Sequence, residues 1–191
     1  MYSDPMWGTA NRQEHLYQTK FFRCRCQRCL DPTELNTEFS SIRCPSCSIE
    51  RPGYLTPSDP LDTTTSWECN VCNKTEPANY VSAVIRSIGE ELVRLERGNP
   101  EACQSFVKKH SQNLNPNHHY LMDVKLALSQ MIGGQGGGGG GLIANPGGEL
   151  HDLNEKDLVQ KQKLCMEILN VANKISPGEK VFNFHEKIGR S

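Results

Sequence analysis

Between residues 81 and 95, apolar side chains return every three or four positions: Val81, Val84, Ile85, Ile88, Leu92 and Leu95. That step places them on one face of an amphipathic helix, and Gly98-Asn99-Pro100 supplies a stop. A second helix is predicted over residues 101–110, with Phe106 and Val107 inward. A third is predicted from Pro116, a favoured first helical position, with Asn115 as its cap and Leu121, Val124, Leu128 and Ile132 on its apolar stripe. A fourth runs over residues 153–175, carries Leu158, Leu164, Ile168, Leu169 and Val171, and is stopped by Pro177-Gly178. Near the N-terminus a shorter helical stretch within residues 1–23 has Thr9 as its cap and Leu16, Phe21 and Phe22 as its apolar side chains. Residues 24–76 lack helical periodicity and are rich in Pro and Ser, which predicts short strands or turns. The fold class is therefore mainly α, with a small irregular region ahead of the helices.

Residues 133–141 are glycine except for Gln135, and a run of that kind reads as a flexible loop. A phosphate-cradling loop would close on Gly-Lys-Ser/Thr, whereas this tract runs into Leu142-Ile143. The tail from 180 to 191 is polar.

Composition changes the picture in one respect. Hydrophobic residues make up 36% of the 191, and mean hydropathy is -0.58. A single large core is not expected, so something besides apolar burial should hold the fold. The net charge of -1 gives no general pull toward nucleic acid or an anionic membrane. No apolar run approaches the roughly 18 to 20 residues of a membrane span, and the acidic, polar start Met1-Tyr2-Ser3-Asp4-Pro5 is no secretory signal.

The cysteines supply the missing hold. Seven of nine lie between Cys24 and Cys72. Cys44-Pro-Ser-Cys47 and Cys69-Asn-Val-Cys72 are two Cys-x-x-Cys pairs separated by 21 residues, slightly more than the about 15 to 20 usual for this class. Each pair puts two thiolates on one tight turn, and two such turns make a tetrahedral four-thiolate cage suited to zinc. Four protein ligands leave no open position, so such a site is structural. Trp67, two residues before Cys69, would cover it from one side. The opposing reading is two accidental pairs of buried cysteines. In a reducing cytosol or nucleus these spacings read as metal ligands and not disulfides.

Cys24-Arg-Cys26-Gln-Arg-Cys29 offers three more thiolates. Cys103 and Cys165 fall on predicted helix faces as small core residues, and His15 lies on the preceding helix. The economical reading puts the fourth ligand outside this chain. The alternative is one cluster with the ligands shared differently. Between Lys20 and Arg51, six basic residues against four acidic ones are a weak nucleic-acid footprint. His118-His119 are read as one packed and one solvated ring, because adjacent helical residues face different ways. The sequence offers no Ser/His/Asp or Cys/His catalytic grouping.

Tyr2-Ser3-Asp4, Trp7-Gly8-Thr9, Arg12, His15-Leu16, Thr19-Lys20-Phe21-Phe22-Arg23-Cys24-Arg25-Cys26-Gln27-Arg28-Cys29 and Asp31-Pro32-Thr33-Glu34-Leu35 resemble the end of the SET domain and the post-SET segment of SMYD proteins. The pattern is most like the arthropod SMYD-A type. Gly53-Tyr54-Leu55, Pro60-Leu61-Asp62 and Trp67-Glu68-Cys69 are similar to that group's extension, and Pro116-Asn117-His118 and Asp123-Val124-Lys125 to its helical region.

The resemblance implies three segments: 1–23 as the end of a SET domain, 24–76 as a post-SET and zinc-ribbon-like region, and 77–191 as tetratricopeptide-like helices. It implies a protein-lysine methyltransferase ancestry with S-adenosylmethionine as cofactor in a full-length relative. Cys24, Cys26 and Cys29 would be three ligands of the post-SET zinc, completed by a cysteine of the SET core. Tyr2 falls at the family's active-site tyrosine, and Phe22 where a ring stacks on the cofactor's adenine. Two departures count against catalysis. Lys20 stands where catalytic relatives carry a second tyrosine, and no MYND finger or Asn-His-x-Cys segment is present.

The chain is therefore expected to be a partial protein that enters its fold midway and transfers no methyl group alone. Its other reading is a zinc-dependent scaffold with a protein partner on the helical region. A nucleic-acid ribbon ranks last. Localisation is expected to be cytoplasmic or nuclear.

Overall fold

The computed structural model describes residues 2–132 and 155–176. The glycine tract at 133–141, the start of the fourth predicted helix before residue 155, its stop at Pro177-Gly178 and the polar tail lie outside the described residues. About half of the described residues are helical, and the rest include one small antiparallel sheet, so the mainly α expectation holds. Among the described residues no helix is long and apolar enough to cross a membrane.

Helix α1 spans Thr9–Lys20 and buries only Thr9, Gln13 and Leu16. Its cap is not Thr9 but Gly8, in extended conformation. Thr9 lies inside the first turn, where it is buried and its hydroxyl has no partner. Gly8 is required there, since a Cβ would come within 2.6 Å of the His119 ring and 2.5 Å of Ser40 Oγ. Phe21 ends the helix with φ 59 and is 87% exposed, and Phe22 is also exposed, so neither packs as an inward apolar side chain.

A four-residue helix α2 (Gln27–Leu30) follows, and then a turn held by side chains. Glu34, Leu35, Asn36 and Glu38 take positive φ values of 49, 63, 57 and 53. Left-handed conformations cost L-residues about 1–2 kcal/mol each, so such a run persists only where its surroundings over-determine it. Asp31 supplies part of that hold, accepting from the Thr33 amide, the Thr33 hydroxyl and the Leu35 amide, each at 2.8 Å. Partial burial works against its ionisation, but the Thr33 and Leu35 donors bring the carboxyl below its usual range.

The sheet is a meander in the order β1 (Ile42–Arg43), β2 (Tyr54–Pro57), β3 (Trp67–Cys69) and β4 (Thr75–Glu76). Ile42 pairs with Leu55 and Leu55 with Cys69, which forms a row of buried side chains across three strands. β1 is also stitched to the helical part. Arg43 N–H donates to Asn113 O at 2.8 Å, Asn115 N–H to Ser41 O at 3.1 Å and His119 N–H to Phe39 O at 2.9 Å. The sheet's inner face therefore shares one apolar core with Val81, Ile88 and Leu92 of α3 (Ala78–Arg94), Phe106 of α4 (Pro100–His110) and Val124 of α5 (His119–Met131). The cysteine region is thus backed by a core that runs into the helices, although composition gave no expectation of a single large one. Apolar side chains far apart in sequence converge beneath it.

Helix α3 ends at Arg94, before the expected Gly98 stop. Asn99 instead caps α4, accepting from Ala102 N–H at 3.1 Å with Pro100 in the first turn. Asn115-Pro116 does not begin α5. It forms a turn in which His118 N–H donates to Asn115 O, and the helix starts at His119. α6 (Glu155–Ile175) packs on α5, where Lys125 pairs with Glu167 at 2.8 Å.

His118 and His119 correct another expectation, for both rings are buried and stacked with centroids 4.4 Å apart. His118 is not helical. It is the cap of α5, and its Nδ1 accepts from Tyr120 N–H at 3.1 Å, so the angular step of a helix does not separate the two rings. Burial holds His118 well below the ordinary histidine range, and it brings His119 down to about 4. A depressed histidine folds neutral, so its stabilising effect is present above pH 6.5 and is lost as pH falls from 6.5 towards 4. In a ring-proton NMR titration, both residues are expected to keep neutral-form shifts down to pH 5. A midpoint near 6.5 for either would contradict the burial.

Candidate metal centre

The two Cys-x-x-Cys turns meet beside the sheet. Cys44 follows β1, Cys69 ends β3, and the sulfurs of Cys44, Cys47, Cys69 and Cys72 all lie within 4.8 Å of one another. Cys44 Sγ is 3.7 Å from Cys72 Sγ, and Cys47 Sγ is 3.7 Å from Cys69 Sγ. A zinc ion with about 2.3 Å bonds to four sulfurs has tetrahedral edges of about 3.8 Å, so the spacing fits zinc closely.

The local backbone is shaped for this. Cys69 N–H donates to Lys74 O at 2.9 Å, and Asn73, with φ 58, turns the chain through the second knuckle while its N–H reaches Cys69 O. Val71 N–H points at Cys69 Sγ, 3.4 Å away. Trp67 lies on the same face of β3 as Cys69 and is half-buried against the shared core.

Gly53 shows how closely the backbone approaches the sulfurs. A Cβ there would be 2.7 Å from Cys47 Sγ and closer still to Cys69 Sγ, while Gly53 O accepts from Cys44 N–H at 2.8 Å. Gly53→Ala is expected to weaken zinc binding about 10- to 100-fold, on the scale of lost supporting contacts around a metal. Competition with a chromophoric chelator would measure it, and unchanged affinity would contradict this geometry.

Burial opposes ionisation of Cys69, but the Cys72 and Val71 amides and neighbouring thiols bring its pKa down to about 7. Burial and the surrounding sulfurs push Cys47 up to about 12. An easily formed Cys69 thiolate beside Cys44 and Cys47, whose thiols resist ionisation, makes a set that a cation completes by displacing protons.

The second group is Cys24, Cys26 and Cys29, whose sulfurs also lie within 4.8 Å of one another. Cys24 is fixed by a residue the sequence did not single out. Gln13 Nε2 donates to Cys24 O at 2.7 Å, and Cys24 N–H donates to Gln13 Oε1 at 3.0 Å, so a side chain imitates a strand partner. Burial opposes ionisation of Cys26, which the Cys29 amide, the Cys24 and Cys29 thiols and Arg12 bring down to about 7. Cys29, fully buried, is pushed up to about 12 by that burial. Arg12 Nη2 lies 3.9 Å from Cys26 Sγ, while its Nη1 is buried without a partner. Cys103, Cys165 and His15 join neither group. Cys103 is buried in α4, Cys165 is half-buried on α6, and His15 meets the Trp7 ring edge-on.

Arg28 is the other residue that sequence reasoning misplaced. One of the six basic residues counted between Lys20 and Arg51, it is buried and gives two N–H groups to Glu34 Oε2, at 3.0 and 2.8 Å. It also donates to Pro5 O at 2.6 Å and Trp7 O at 2.8 Å. Glu34 Oε1 accepts from Thr9 N–H and from Ser40 Oγ. The pair ties the N-terminal segment to the cysteine loop and to the strand that follows. No periodicity announces such a pair. Its only trace is two opposite charges six residues apart.

Tyr2 and Phe22 meet edge-to-face at 6.4 Å, and Lys20 Nζ sits 5.9 Å from the Tyr2 ring centre. All three belong to one exposed aromatic and basic surface at the end of α1.

No protein-family profile and no solved structure matches the chain significantly. Among curated proteins, it is 27% identical over 130 residues to SET domain-containing protein SmydA-8, isoform B, of Drosophila melanogaster. That alignment covers 65% of this chain and 28% of the relative. Isoform A is 26% identical over 130 residues, covering 65% of this chain and 27% of that isoform. The chain thus spans little more than a quarter of the curated relatives it matches. These similarities support a relationship to the SMYD-A family.

Proposed function

We propose that this chain is the zinc-holding C-terminal part of a SET/SMYD-type, protein-lysine methyltransferase-like protein, and that by itself it transfers no methyl group. The observation that carries the zinc reading is the four-sulfur set of Cys44, Cys47, Cys69 and Cys72, all within 4.8 Å of one another and with two edges of 3.7 Å. A closed thiolate set gives structural zinc and not a Lewis-acid centre. Cys24, Cys26 and Cys29 would hold a second ion, its fourth ligand coming from outside this chain. In a full-length relative, Tyr2 would face the lysine amine and Phe22 the adenine of S-adenosylmethionine. Here those residues offer their rings on an open surface. Cytoplasmic or nuclear residence follows from the need to keep the thiols reduced.

Metal analysis of the purified chain tests the zinc part. Two zinc ions per chain support both sites, one leaves the three-cysteine group dependent on the absent ligand, and none overturns the reading. Methylation of a protein lysine by this chain at ordinary turnover would overturn the inactive assignment.

The second reading is a zinc-dependent scaffold without catalysis. It is favoured by Lys20, whose ammonium occupies the neighbourhood of the Tyr2 ring and would repel an approaching substrate ammonium. Its partner would be a protein held by the helical region, and nucleic acid ranks behind it on charge. Partner capture that needs the helices but not Tyr2 or Phe22 would separate the two readings.

A further inference from the structure

The two cysteine groups are joined by a chain of side-chain contacts that runs from the second knuckle to the neighbour of Cys29. Asn70 lies inside the second knuckle, between Cys69 and Cys72. Its Oδ1 accepts from Tyr54 N–H at 2.9 Å, and its Nδ2 donates to Glu38 Oε1 at 2.9 Å. Glu38 Oε2 takes a further hydrogen bond from Asn115 Nδ2 at 2.6 Å. Glu38 is the last left-handed residue of the turn, and its amide and that of Thr37 both donate to Thr33 O. At the other end of the same turn, Glu34 grips Arg28, the neighbour of Cys29. A turn in this conformation is held by contacts on both sides and loosens when either side lets go.

We propose that the two metal centres are thermodynamically coupled through the turn at residues 31–38, with Glu38 reading the state of the four-cysteine site and Glu34 passing it to Cys29 through Arg28. This rests on the zinc reading above. With metal in place, the knuckle holds the Asn70 amide where it meets Glu38. Without it, the knuckle no longer fixes Asn70, the turn loses one of its supports, and Arg28 loses the fixed carboxylate that holds α2, which carries Cys29 and is capped by Cys26. Linkage requires the reverse effect as well, so loss of the three-cysteine group weakens metal binding at the four-cysteine site.

The test is a double-mutant cycle on the full chain at buffered free zinc. It reads the alkylation rate of Cys26 by mass spectrometry in the wild type, Cys72→Ser, Glu38→Gln and the combination. Buried Cys103 serves as the internal folding control, since it stays unreactive in a folded chain. Cys72→Ser is expected to speed Cys26 alkylation at least about fivefold in the wild-type background and less than about twofold beside Glu38→Gln. Equal ratios in the two backgrounds overturn the coupling. If Glu38→Gln exposes Cys103, Asn70→Asp replaces it. That change keeps an acceptor for Tyr54 N–H but sets a carboxylate against Glu38, and the same two ratios decide. Zinc content separates the two claims: no zinc sinks the metal reading itself, whereas zinc with equal ratios sinks only the coupling.

Discussion

Stripping the metal with an excess of strong chelator, or replacing Cys69 by serine, is expected to unfold the sheet and loosen its packing on helices that stay folded. Structural zinc contributes about 10–16 kcal/mol in small modules, while whole domains are stable by only about 5–15 kcal/mol. The helices add apolar burial but cannot compensate fully, because Cys69 and Leu55 are part of the same core as Val81 and Phe106. Trp67, half-buried against that core, is a built-in reporter. Its fluorescence should shift towards that of an exposed indole on chelation, and helical circular dichroism should fall only in part. A thermal midpoint that does not move under excess chelator would remove the metal from the account of this fold.

Glu34→Ala should be the most damaging change away from the cysteines. It leaves the buried Arg28 guanidinium without its carboxylate, and breaking a buried pair from one side costs about 3–5 kcal/mol. For a chain of this size that lowers the thermal midpoint by on the order of 10 °C. The amide of Thr9 and the hydroxyl of Ser40 lose their acceptor at the same time. Arg28→Met combined with Glu34→Ala should cost less than the sum of the single changes, since no charge is then stranded. Differential scanning calorimetry of the four proteins would show it. Additive losses would mean that the two side chains act separately.

What the sequence made legible was local. Val81, Ile88 and Leu92 declare their helix face through spacing alone, and the two cysteine knuckles declare theirs within four residues each. The start of α5 misled because Asn115-Pro116 carries the same residue types as a helix cap and first turn, yet its side-chain acceptor serves Asn117 in a separate turn. The left-handed run from Glu34 to Glu38 contains no glycine to betray it. Arg28 with Glu34, Gln13 with Cys24 and Glu38 with Asn70 depend on tertiary approach, which charge counting and periodicity do not encode. His118 and His119 were misplaced for a related reason: a helical angle was applied to a residue standing just outside the helix.

The ladder that fastens residues 39–43 to residues 113–119 sets a limit on dissection. A peptide cut to contain just the seven clustered cysteines would keep every sulfur yet present the outer margin of β1 unpaired, with Phe39 and Ile42 stripped of their cover. Such an edge invites another strand, so the excised piece should self-associate even when fully loaded with metal. The smallest soluble unit has to reach at least through α5.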